Sequence, residues 1–119
     1  MPKFTGKNSI TQTDFLLKDD AVNATAVDDI FGGAAVIHNI HIINAGALCW
    51  LKFYDHADPT VGTTDPDIIL QADGSEEVVW TIIDGISFTN FSYAAVNAAG
   101  TGGTGNPGGG DIDIFMVVR

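Results

Sequence analysis

The side chains that could do chemistry are few, and their spacing decides what they can do. His38 and His41 are three residues apart in an apolar, β-branched stretch. On a regular strand that spacing sends them to opposite faces, because side chains alternate. They share a metal only if a bulge intervenes. The plain reading is one histidine hydrogen-bonded locally in a core or interface and the other exposed. His56 stands beside Asp55 and Asp58. An acid–base pair is conceivable there, but Asp-His-Ala-Asp is ordinary loop chemistry. Asp55, Asp58, Asp65 and Asp67 could collect calcium, yet the EF-hand offsets, with Gly at position 6 and Glu at position 12, are missing. The reading is a solvated acidic loop over residues 55–67.

The tract 97–110 (NAAGTGGTGNPGGG) holds half of the 14 glycines. It has no Gly-Lys-Ser/Thr ending and precedes a strand pattern, so it is no phosphate-binding loop. It reads as a flexible surface loop, or as a tip that orders on a partner. Gly-x-Ser-x-Gly is absent, and Ser9, Ser75, Ser87 and Ser92 lack an activating context. Cys49 reads as a small buried apolar residue. Trp50, Phe53, Tyr54, Trp80, Phe88, Phe91 and Tyr93 could present stacking platforms for sugars, but core or interface packing is the simpler use. No catalytic residue, cofactor or metal ligand is assigned.

Elements must position these groups. Residues 34–44 are β-branched without a 3.6-residue stripe and read as a strand. Residues 48–55 form another, with Cys49, Leu51, Phe53 and Asp55 as the better core face and Leu48, Trp50, Lys52 and Tyr54 opposite. Residues 10–18, 67–72, 77–83, 86–88, 91–96 and 111–119 supply further strands. Turns fall at Asn44-Ala-Gly46, Asp73-Gly74 and Asp84-Gly85. Residues 19–33 are small and polar, fitting a short strand, a helical turn, or an arm on a neighbouring subunit. With seven or eight short strands and no substantial helix, the expected class is an all-β antiparallel sandwich.

Composition narrows function by exclusion. The chain has 119 residues, 15 acids against 5 Lys and Arg, and a formal charge of −10. One domain is expected. The charge disfavours a nucleic-acid backbone and an anionic membrane. No apolar run is long enough to span a bilayer, and the opening residues lack the apolar region of a signal peptide. One cysteine excludes an intrachain disulfide. Positive charge gathers early, at Lys3, Lys7 and Lys18, while only Lys52 and Arg119 follow. The division is an N-terminal arm or first strand over 1–20 and a sandwich over 21–119.

The layout Asn44-Ala-Gly46, Leu51-Lys52-Phe53-Tyr54-Asp55, Ala57, Pro59-Thr-Val-Gly-Thr63 and Pro66, followed by Gly85-Ile-Ser-Phe88 and Ser92-Tyr93-Ala94, resembles small all-β virion proteins of tailed bacteriophages. The similarity covers residues 34–96. It implies a jelly-roll-like sandwich that decorates or cements the outer surface of a phage capsid. The partner would be the major capsid protein, and the protein would act as a homotrimer. The implied partner-binding residues are Lys3, Phe4, Lys7 and Lys18 in the arm, and Trp50, Lys52 and Tyr54 on an intersubunit or capsid-facing surface. Two other classes stay open: a carbohydrate- or receptor-binding module of a tail fibre or spike, and a small β-barrel enzyme centred on His56 with Asp55 or Asp58.

Overall fold

In a computed structural model, residues 2–6, 15–108 and 112–119 are described, with side chains from Leu16 onward. The described residues form eight strands and no helix. They are β1 (Pro2–Gly6), β2 (Phe15–Asp19), β3 (Ala35–Asn44), β4 (Cys49–Asp55), β5 (Ile68–Ala72), β6 (Glu76–Phe88), β7 (Phe91–Val96) and β8 (Ile112–Val118). One sheet has the order β1-β2-β8-β3-β6 and the other β5-β4-β7. All ladders are antiparallel.

The pairings are those of one long hairpin folded over on itself. β2 pairs β8, β3 pairs β6, and β4 pairs β5. The fourth pair of the wrapping is supplied by the irregular segment after β2. There Val27 and Tyr93 exchange both backbone bonds, at 2.9 and 3.2 Å, while Ile30 N–H donates to Phe91 and Asn23 accepts from Ala95. This is jelly-roll connectivity, with β1 added outside β2. Residues 19–33, whose form was open in the sequence, thus hold an edge of the smaller sheet. Asp29 sits at φ 38° there, which breaks regular pairing.

The core lies between the two sheets. Leu17, Ile37, Ile40, Ile42, Ile114 and Met116 face Leu51, Phe53, Phe91 and Tyr93. Phe91 closes one end, with the rings of Phe88 at 4.7 Å and of Phe31, Phe53 and Tyr93 just under 6 Å. Cys49, Leu51 and Phe53 are the core face of β4, as their alternation predicts.

Two expectations change. Residues 77–83 and 86–88 are one strand, β6, because Asp84-Gly85 forms a bulge and not a chain reversal. Asn39 faces Thr81 and Ile37 faces Ile86, so residues 82–85 stand opposite His38 alone. The same shift appears between β3 and β8. It reverses the phase of β3: Ala35 and Ile37 point inward before it, and Ile40, Ile42 and Asn44 after it. The first-strand expectation over 10–18 is met only from Phe15, and residues 10–14 lie outside the described residues.

Candidate functional site

The β3 bulge corrects the histidine geometry. His38 and His41 both lie on the outer face of the larger sheet, because one inserted residue cancels the odd spacing. They do not form a metal site. Among the described residues, no three His, Cys, Asp or Glu side chains are placed to hold an ion. His38 packs on Gly85, and a Cβ on that glycine would stand 2.9 Å from the imidazole Cε1. His41 Nε2 lies 3.2 Å from Glu77 Oε2, and its ring is 5.7 Å from Phe115. On the other side of Phe115, Lys18 Nζ stands 5.5 Å from the ring centroid. The chain of contacts Lys18, Phe115, His41, Glu77 therefore crosses four strands.

Around that row, beside the Asn39–Thr81 pair and Asp113, the outer face also carries apolar side chains where an antiparallel sheet usually turns polar ones to water. Leu16 is 46% exposed, Val79 61% and Ile83 90%. Phe115, Val117 and Ile43 are half-buried on the same face. Sequence reasoning missed this surface. Its signal was the doubled Val78-Val79 and Ile82-Ile83: in an alternating strand, one of two consecutive apolar residues must face out.

The opposite outer face, on β4 and β7, is closed. Lys52 and Tyr54 are both 0% exposed, and Trp50 is half-buried. The expectation of an intersubunit or capsid-facing surface at Trp50, Lys52 and Tyr54 is corrected at Lys52 and Tyr54, which are buried within the chain, the lysine under the glycine-rich segment. Lys52 Nζ donates to the carbonyls of Gly100 at 2.6 Å, Gly103 at 3.3 Å and Thr101 at 3.5 Å. An ammonium has three N–H bonds and no acceptor, so three carbonyls match it. Burial holds its pKa below the usual lysine value. Thr101 also donates to Asp65 at 2.6 Å, and Asn97 N–H donates to Gly105. Described through Gly108, the tract is a roof and not a free loop. Tyr54, on the same strand, is buried too, its phenol pKa raised by burial and its hydroxyl without a protein partner.

The His56 region is committed to loop structure. Asp55 Oδ1 accepts from the N–H groups of Thr89 at 2.8 Å and Asn90 at 2.9 Å. Asp67 accepts from Asp55 N–H, and His56 Nδ1 accepts from Asp58 N–H. Ser92 Oγ donates to the His56 carbonyl at 2.6 Å and accepts from Asp29 N–H at 2.8 Å. Burial, then the Asp58 carboxylate, raises the pKa of nearby Asp28, with His56 opposing.

Of the arm residues, Lys3 and Phe4 lie on β1, opposite Lys18 and Leu17 in register. Lys7 lies outside the described residues. Lys18 is exposed on β2. Comparison with protein-family models, curated proteins and solved structures finds no match.

Proposed function

We propose that this chain is a structural virion protein that binds the outer surface of an assembled phage capsid and stabilises it, acting as a trimer. One observation carries the reading: the larger sheet of a rigid jelly roll turns Leu16, Val79 and Ile83 to solvent. Exposed apolar surface rimmed by charge marks interaction sites. The resemblance of residues 44–66 and 85–94 to phage virion proteins says which kind of interaction. Jelly rolls recur in viral capsid domains, and the formal charge of −10 suits the outside of a shell better than its DNA-filled interior.

The mechanism is linkage. A protein that binds only the assembled shell stabilises that state by its binding free energy, and a trimer multiplies weak contacts through effective concentration. The contact moves from the Lys52 face, which is roofed, to the outer face of β2, β8, β3 and β6. The sugar-binding alternative loses ground for a related reason: Phe53, Tyr54, Phe91 and Tyr93 are all fully buried.

Co-sedimentation with undecorated, expanded capsids tests the proposal. Saturable binding to the assembled shell, with none to free capsid subunits, is expected. Absence of binding to the shell, or selective binding on a glycan array, contradicts it.

A further inference from the structure

The chain has two Asp-Gly dipeptides, Asp73-Gly74 and Asp84-Gly85. An aspartate before glycine can react with its own backbone, because glycine has no side chain to hinder the approach of its nitrogen. The glycine amide nitrogen attacks the aspartate carboxyl carbon. A C–N bond forms, a carboxyl C–O bond breaks, and the hydroxyl leaves with the amide proton as water. Water then adds to either carbonyl of the five-membered succinimide. Opening at one C–N bond restores aspartate. Opening at the other leaves the chain running through Cβ, as isoaspartate. Water alone is released and taken up.

The fold treats the two dipeptides differently. Asp73 is clamped. Its Oδ1 accepts from Gln71 Nε2 at 2.8 Å, and its carbonyl accepts from Asn44 Nδ2 at 3.2 Å. Gly74 packs on the turn before β4, where a Cβ would stand 3.1 Å from the Gly46 oxygen. Asp84 is exposed, and its carboxylate has no hydrogen-bond or ion-pair partner among the described residues. Residues 82–85 stand opposite the single residue His38, so the Asp84–Gly85 peptide lies outside the regular ladder. Gly85 has φ +76° and packs on Val36 and His38 so closely that no Cβ fits. The bulge therefore requires glycine, the one residue that leaves this amide open to attack.

We infer that Asp84-Gly85 is a self-modification site, isomerising to isoaspartate through a succinimide while Asp73-Gly74 stays protected in the folded protein. The product lengthens the backbone by one atom beside Ile83, which is 90% exposed on the outer face of the larger sheet. The inference is independent of the virion reading.

Warm incubation of the whole chain in mildly acidic water labelled with heavy oxygen tests it. Each succinimide that opens takes one oxygen from solvent, so the label counts events whether aspartate or isoaspartate results. Chymotryptic cleavage after Leu70, Trp80 and Phe88 separates the two dipeptides for mass spectrometry. Label and isoaspartate should accumulate in residues 81–88 roughly tenfold faster than in 71–80, the factor imposed by first breaking one or two hydrogen bonds at Asp73. In urea the two rates should converge, because the clamp is gone. Gln71→Ala should speed labelling of 71–80 in the folded chain. Asp84→Glu should abolish labelling of 81–88, because the longer side chain must close a six-membered ring. Both substituted residues are exposed, and unchanged melting temperatures verify the folds. Three results overturn the inference: residues 81–88 that stay unlabelled, equal rates for the two dipeptides in the folded chain, or a gap between them that persists unchanged in urea.

Discussion

Replacing Lys52 with Met separates two accounts of the glycine-rich roof. Methionine keeps the apolar stem and its packing but removes the ammonium. The bond to Gly100 at 2.6 Å is short and charge-assisted, while those to Gly103 and Thr101, at 3.3 and 3.5 Å, are long. A hydrogen bond to a charged group contributes about 1.5–3 kcal/mol, and long ones less. Part of that is offset, because the burial that lowers the lysine pKa also penalises its charge. The net expected loss is about 3 kcal/mol. At about 4 °C per kcal/mol for a chain of this length, melting falls by about 12 °C. The assay is calorimetry paired with amide hydrogen exchange. Exchange should rise at Asn97 and Gly103, whose N–H groups bond to Gly105 and Gly100 inside the roof. If the variant melts within about 2 °C of wild type with unchanged exchange over 97–108, the lysine does not hold the roof and the reasoning fails.

Alkali should destabilise the fold. Burial raises the Cys49 thiol from 9.0 to about 11, and raises the Tyr54 and Tyr93 phenols. Between the unfolded and folded values the native state holds the proton that the unfolded chain releases, so stability falls as pH rises. Cys49 alone accounts for about 2 kcal/mol by pH 10.5. Lys52 opposes this within its window below 10.5, because there the unfolded chain holds the proton. Urea midpoints at pH 8 and 10.5 should show the loss, and Cys49→Ala should flatten the slope. Asn44→Ala should lose about 3 kcal/mol by urea unfolding, since Asn44 donates to Ala47, Ala72 and Asp73 and accepts from Gly46, tying two turns together. Gly85→Ala should lose about 2 kcal/mol for strain at positive φ. Gly33→Ala, with nothing within 4 Å of a Cβ, should melt close to wild type.

Alternation and turn chemistry made most of the roll legible. The Ile112, Ile114, Met116 and Val118 face of β8 and the Cys49, Leu51 and Phe53 face of β4 are buried as their period of two requires. Asn44-Ala-Gly46 is a turn because the Asn44 side chain bonds its own loop. What period could not show was a change of phase. The bulge at His38 moved two histidines onto one face, and the matching bulge in β6 turned an expected Asp84-Gly85 reversal into a protrusion. Both depend on which strands lie side by side, which is not a local property. The roof was hidden differently. Low-complexity glycine reads as flexible until a buried lysine 48 residues away in sequence gives its carbonyls a donor. Lys52 did offer a clue. A lone lysine between aromatic residues, with no carboxylate in the same strand face, must find neutral oxygen when buried.

The outer face of the larger sheet is where the account stands or falls. The direct measurement is the disassembly temperature of undecorated capsids, by scanning calorimetry, with increasing amounts of this protein and of Val79→Asp. A ligand that binds only the assembled state raises that temperature in proportion to the logarithm of its free concentration above Kd. Wild type should raise the midpoint progressively, and Val79→Asp should require a roughly tenfold or higher concentration for the same shift. A midpoint that stays constant at every wild-type concentration contradicts the account.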